Sequence, residues 1–194
     1  MTRGNIRPGG RTERVRQTVA ETVLRLIKSG TTEFSMLDVA EQSGVARSTI
    51  YARWPSREAL IAEALGAHNS TFQVELQSDW REHIHALAIA FRDFSCDPDE
   101  IALNGLTASL GPGFLNEETW RQWLTIAHDM GEPLRAAQRA GAIRAEVDTV
   151  VVIATLFSSI TGLTSIAKYQ PDDSHLKQLA DLLIRGCESP DGRA

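Results

Sequence analysis

Within the seven residues Arg47–Arg53, the side chains of Arg47, Ser48, Thr49, Tyr51 and Arg53 all carry groups able to read or hold DNA. The Arg47 guanidinium has the fork geometry to bond guanine O6 and N7 together; a solvated surface arginine or a phosphate contact is the alternative. Ser48 and Thr49 can bond bases or phosphates, and the Thr49 methyl can touch a thymine methyl. Arg53 and Arg57 fall at the end of this segment and the start of the next, where side chains and free backbone N–H groups together clamp a phosphate. Ser35 lies upstream, placed to cap a helix or to give its hydroxyl to a phosphate. Arg3, Arg7 and Arg11 are set among Gly4, Pro8, Gly9 and Gly10, a basic arm suited to phosphate or minor-groove contact.

Other chemistry finds little support. There is no HExxH, no GxSxG and no phosphate-binding loop, and Gly111-Pro112-Gly113 follows no strand pattern. His83 and His85, two residues apart, point to different sides of a helix and cannot chelate one ion together. Asp97, Asp99 and Glu100 flank Pro98 as a helix start, which accounts for their charge without a metal. Cys96 and Cys187 lie far apart with no zinc spacing, as free thiols in a reducing cytoplasm would. No catalytic group, metal or cofactor is expected, and an enzyme is the weakest of the functional readings.

The elements that must position the reading residues are helical. Val15, Val19, Val23, Leu26 and Ile27 recur at three- and four-residue steps, predicting an amphipathic helix over 12–29 that Gly30 ends. Ser35 with Asp38 forms a capping box for a helix to about Ser43. Gly44 suits a left-handed turn, and the reading helix then covers about Ala46 to Arg53. Leu37, Val39 and Ala40 can pack against Val45 and Ile50, which makes a helix-turn-helix. Pro55 stops the reading helix, and Ser56 caps a long helix to about Leu76. Further helices are predicted over 80–95, over 98–110, from Asn116 to Gly141 with a kink at Pro133, over 149–167, and from Ser174 to Gly186. No strand pattern appears. The fold expected is all-α, about nine helices, with a head over 1–55 and a body over 56–194.

The net charge of -5 conceals a division. Through Arg57 there are ten Lys and Arg against five Asp and Glu; from Glu58 onward the ratio reverses to ten against twenty. A basic head on an acidic body fits an anionic partner at one end. From Thr149 to Ala167, 19 consecutive residues carry no charge, which is close to bilayer length. Seven of them are Ser or Thr and no aromatic belt flanks them, so a buried core or interface helix is expected and no membrane.

From about Thr12 to Leu65 the chain resembles the TetR family of bacterial transcriptional repressors. The resemblance lies in Ser35–Ala40, in Gly44-Val45-Ala46-Arg47-Ser48-Thr49-Ile50-Tyr51 and in Trp54-Pro55-Ser56-Arg57-Glu58-Ala59-Leu60. It implies that Tyr51 meets backbone phosphate, with a half-buried brace as the alternative, and that Arg57 stands where the family usually has lysine. It implies a pocket for a small molecule among the body helices, for which Phe91, Phe94, Leu103, Leu106, Trp120, Trp123, His128 and Phe157 are the candidates; plain core is the competing reading. It implies that the last two helices pair across a two-fold axis, with Leu156, Ile160, Leu163, Leu179 and Leu183 as candidate contacts. The expectation is a cytoplasmic homodimeric repressor that binds a palindromic operator in double-stranded DNA and is released by a small-molecule effector. An architectural DNA-binding protein without a ligand is the alternative, distinguished by whether DNA binding answers to a small molecule and is confined to one palindrome.

Overall fold

The computed structural model of the chain describes residues 10–110 and 117–190. Through them run α1 (Arg11–Lys28), α2 (Met36–Ser43), α3 (Arg47–Arg53), α4 (Arg57–Asn69), α5 (Trp80–Ser95), α6 (Pro98–Ser109), α7 (Glu117–Met130), α8 (Glu132–Arg139), α9 (Thr149–Thr161) and α10 (Asp173–Cys187). A π turn, Gly162–Ile166, continues α9. Strand pairing among the described residues is one isolated bridge, Ile143 to Glu188, so the all-α expectation holds. Arg3 and Arg7 lie outside the described residues, as does the side chain of Trp120.

Three boundaries differ from the expected ones. The helix expected to reach Leu76 closes at Asn69, where the Ser70 and Thr71 hydroxyls bond back to the Ala67 and His68 carbonyls. The single kinked helix is two: α7 ends at Met130, the Gly131 N–H turns to the Ala127 and His128 carbonyls, and Pro133 sits in the first turn of α8. A proline there forfeits no intrahelical bond. The last helix is capped by Asp172, whose carboxylate accepts from the His175 N–H at 2.8 Å, rather than by Ser174.

The chain divides into two compact units. One holds α1 to α4 with α6 from Ala102 onward; the other holds α5, the first turn of α6, and α7 to α10. The boundary expected after residue 55 therefore falls inside the first unit, because α4 buries Leu60, Ile61 and Ala64 against the α1 residues Val19, Val23 and Leu26. Each of the Leu, Ile and Val side chains, wholly removed from water, contributes about 1.5–3 kcal/mol, and Ala64 less. Leu103 and Leu106 of α6 belong to this same apolar cluster. That corrects their assignment as pocket residues.

In the second unit α5 lies against both α9 and α10. Ile84, Leu87 and Phe91 of α5 join Ile153, Leu156 and Ile160 of α9 and Leu176, Ala180 and Ile184 of α10 in one cluster. Leu156 and Ile160 are fully buried there, so they are core residues of the protomer and cannot offer surface to a second copy. Leu163, Leu179 and Leu183 are half-buried. What α9, the π turn and α10 expose instead is Val151, Ile166 (84% exposed) and Leu182 (63% exposed). The span Thr149–Ile166 passes the length and hydropathy test for a membrane helix, yet it supplies four wholly or nearly buried residues to this core, as a central helix of a globular unit does.

His83 fills the interior of the same unit. Its Nε2 lies 2.8 Å from the Met130 carbonyl, and the Gln77 N–H donates to Nδ1 at 3.4 Å. Those partners suit the neutral imidazole with its proton on Nε2. Burial pushes its pKa below the ordinary value, and the bond to Met130 opposes that shift only in part.

Candidate nucleic-acid interface

The turn that presents α3 is built locally. The Ser35 hydroxyl accepts from the Asp38 N–H while Asp38 accepts from the Ser35 N–H and hydroxyl, a reciprocal cap on α2. A cap of this kind is worth about 1 kcal/mol. Those bonds lower the Asp38 pKa. Ser35 is thus committed to capping in the free protein. Gly44 ends α2 at φ +69°, where a side chain would be strained. Val45 donates its N–H to the Ser43 hydroxyl, and Ala46 leads into α3 without a side-chain cap.

Ile50, fully buried, pins α3 to the head's core. The opposite face stands in solvent: Arg47, Ser48 and Arg53 are exposed, Thr49 is half-buried, and Tyr51 is 58% exposed. That exposure disposes of the half-buried brace as a role for Tyr51. Trp54 breaks the helix with an extended backbone, and its indole N–H donates to Glu63 at 3.2 Å. Glu63 also receives Arg16 of α1 at 2.9 Å, so a single carboxylate ties the end of the reading helix to α1 and α4.

Not every expected phosphate ligand is free. The Arg57 guanidinium bonds the Thr32 carbonyl and lies over the Phe34 ring, 5.0 Å from its centroid. It braces the loop before α2 rather than reaching outward. Arg53 contacts the Thr12 carbonyl and hydroxyl at 3.4 and 3.3 Å, long bonds that leave it able to turn away. Arg11 begins α1 and is exposed. Arg47 pairs with Glu41 of α2, Nη2 to Oε1 at 2.6 Å. Sequence reading missed that pair, since a separation of six across a turn matches no helical spacing.

The body candidates separate just as sharply. Phe91 stacks on Phe72 (5.1 Å between centroids), Phe72 meets Phe94 edge-on (5.2 Å), and Phe157 joins Phe91 (5.2 Å) and Trp123 (6.2 Å). Phe72, in the segment before α5, was expected to continue a helix and was overlooked. His128 is exposed and lies 3.4 Å from Asp129, so it faces solvent instead of this cluster. Among the described residues no group of His, Cys, Asp and Glu could hold a metal ion.

A sequence profile described as "Bacterial regulatory proteins, tetR family" matches residues 24–64, the stretch holding α2, α3 and the first half of α4. An uncharacterised HTH-type transcriptional regulator of Mycobacterium bovis is 24% identical over 121 residues, 61% of this chain and 64% of that protein. The chain thus spans just under two thirds of the length of that relative. The DNA-binding transcriptional repressor TetR of Mycobacteroides abscessus is 41% identical over 51 residues, 26% of this chain and 27% of that one. Among solved structures, the TetR family transcription regulator SCO0332 superposes with a TM-score of 0.67 at 26% identity, covering 90% of this chain and 99% of that one. A TetR regulator from Agrobacterium tumefaciens gives a TM-score of 0.70 at 18% identity, covering 91% and 96%, a likeness of fold. Residues 24–64, with a reading helix of this geometry, thus match the TetR family of bacterial regulatory proteins, and the chain shares the fold of solved regulators of that family.

Proposed function

We propose that the chain is a cytoplasmic transcriptional repressor that binds a palindromic operator as a homodimer and is released from it by a small molecule. The observation that carries this reading is α3 itself: one buried residue, Ile50, holds it, and Arg47, Ser48, Tyr51 and Arg53 project from it into solvent. A helix-turn-helix sets the N-terminal residues of such a helix against base edges in the major groove, so Arg47 reads bases while Tyr51 and Arg53 hold phosphates. Arg3, Arg7 and Arg11 extend the phosphate contacts from the arm.

Support for the dimer comes from the unpartnered apolar side chains on α9, the π turn and α10. Val151, Thr155, Ser158 and Ile166 recur on one exposed side of the α9 segment, and Gln178, Leu182 and Arg185 on one exposed side of α10. Isolated exposed hydrophobics are ordinary, but three of them on neighbouring elements favour a partner surface. An isologous pairing through it gives the two-fold symmetry that a palindrome requires. The effector reading rests on the cluster of Phe72, Phe91, Phe94, Trp123 and Phe157, of which only Phe91 is fully buried. Partly buried rings offer a ligand a large apolar face without an empty core to maintain in its absence. Ligand that prefers a different arrangement of these rings shifts the population away from the DNA-competent dimer.

The test is enrichment of a randomised duplex pool on the purified chain, then a small-molecule screen for release of the enriched duplex. Recovery of inverted half-sites and release by a compound support the reading. Binding that no compound alters would favour an architectural role.

A further inference from the structure

We propose that Glu41 is a specificity-determining residue: it holds the Arg47 guanidinium by one nitrogen while the rest of the fork reads a base, and it denies that charge to the phosphate backbone. The inference rests on the DNA-binding reading above and adds to it a residue outside the reading helix.

Glu41 lies in the last turn of α2, and Arg47 opens α3 on the far side of Gly44. Their contact is a single one, Arg47 Nη2 to Glu41 Oε1 at 2.6 Å. A guanidinium carries five N–H groups in a fixed plane, so one such contact leaves the Nε and Nη1 donors and the second Nη2 hydrogen available to a guanine. The two helices are themselves held firmly, with Val39 and Ala40 of α2 and Ile50 of α3 buried in one cluster. The helix backbones that carry the two side chains are therefore fixed relative to each other, which keeps the Glu41 carboxylate within reach of the longer arginine side chain.

Both side chains are largely in solvent, 63% exposed for Arg47 and 57% for Glu41, so the pair contributes little to stability. An acid at a DNA-facing edge also repels phosphate. A contact that weakens attraction to DNA and adds little stability has its effect in what it does to Arg47. On random DNA, a paired Arg47 is electrically neutralised and releases no counterion. On a matching base the same pairing limits the rotamers the side chain must give up on binding. Both effects widen the gap between matched and random DNA.

The measurement uses the full chain and two probes: a duplex enriched from a randomised pool on the wild-type protein, and poly(dI-dC). For Glu41→Gln we expect binding to poly(dI-dC) to tighten about threefold, with a salt slope steeper by about 0.9, the signature of one more neutralised phosphate. Affinity for the enriched duplex should not rise in step, so the ratio of the two should fall by about threefold or more. In an Arg47→Ala background the same change should leave that ratio unmoved, which separates a hold on Arg47 from simple removal of a negative charge. Melting temperature checks that the head is intact, and Glu41→Asp, which keeps the charge on a shorter arm, should restore part of the ratio. An equal gain on both probes, an unchanged ratio, or the same loss in the Arg47→Ala background would overturn the proposal. If the wild-type chain binds neither probe, the DNA-binding reading falls first and the role of Glu41 falls with it.

Discussion

The two units expose opposite chemistries from similar all-helical cores. The head sets Arg47, Tyr51 and Arg53 in solvent on a helix fixed by Ile50; the second unit leaves Val151, Ile166 and Leu182 bare. A polar exposed side chain stays solvated while it waits for a partner, whereas each exposed apolar one gains free energy when it is covered. On the proposed function, the head meets DNA intermittently and the α9–α10 surface is covered by a second copy throughout. The proposal thus assigns the transient interface to polar side chains and the lasting one to apolar ones.

The sharpest way to break this contrast is to place one charge in the buried side of α9 and another on the exposed side of α10. Ile160→Asp buries an unpaired carboxylate in the core and should unfold the unit outright, seen as loss of helical circular dichroism at 25 °C. Leu182→Asp meets solvent in the protomer and should leave the helices intact while shifting sedimentation from dimer to monomer. Identical behaviour of the two variants would remove the distinction between core and interface residues on α9 and α10.

In the head, Arg47→Ala should cost about 1–3 kcal/mol on an enriched duplex and relax its sequence preference, with little change on random DNA. Arg57→Ala tests the contrast within the head itself. Because its guanidinium braces the Thr32 carbonyl and the Phe34 ring, the expected effect is a lower melting temperature, by about 1 kcal/mol of stability, with an unchanged salt slope. A slope reduced by about one unit would return Arg57 to the phosphate contacts.

The smallest effect concerns His83. Its pKa is depressed in the folded state, so below the ordinary value of 6.5 the unfolded chain binds a proton that the folded chain does not. Stability contributed by the neutral ring is complete above that pH and declines as pH falls toward the folded pKa. Urea midpoints measured at pH 7.5 and 5.5 should show this loss, and His83→Gln should flatten it. An equal pH dependence in the variant would assign the loss to other groups.

How much of this was legible in the sequence follows the range of the interactions. The Ser35–Asp38 cap and the Gly44 turn are decided by residues within a few positions of each other, and both stood out. The Arg47–Glu41 and Arg57–Thr32 contacts depend on the angle between helices, which no spacing encodes. On α9 the pattern chose Leu156 and Ile160, which the protomer buries, over Val151, which it exposes. An uncharged helix has no polar stripe to show which residues face out, so Leu156 and Ile160 were indistinguishable from Val151. Leu103 and Leu106 were misplaced for a similar reason: α6 lends its apolar residues to the head's cluster although it follows α5 of the other unit, and periodicity does not say which core a helix joins.

The central claim, a two-fold dimer reading an inverted repeat through α3, is tested most directly by half-site spacing. An enriched duplex and the same duplex with five base pairs inserted at its centre present one half-site on the same face of the DNA and then on the opposite face. Fluorescence anisotropy of the full chain at constant salt should show tight binding to the first and near-random affinity for the second. Equal affinity for the two would contradict a rigid dimer with paired reading helices.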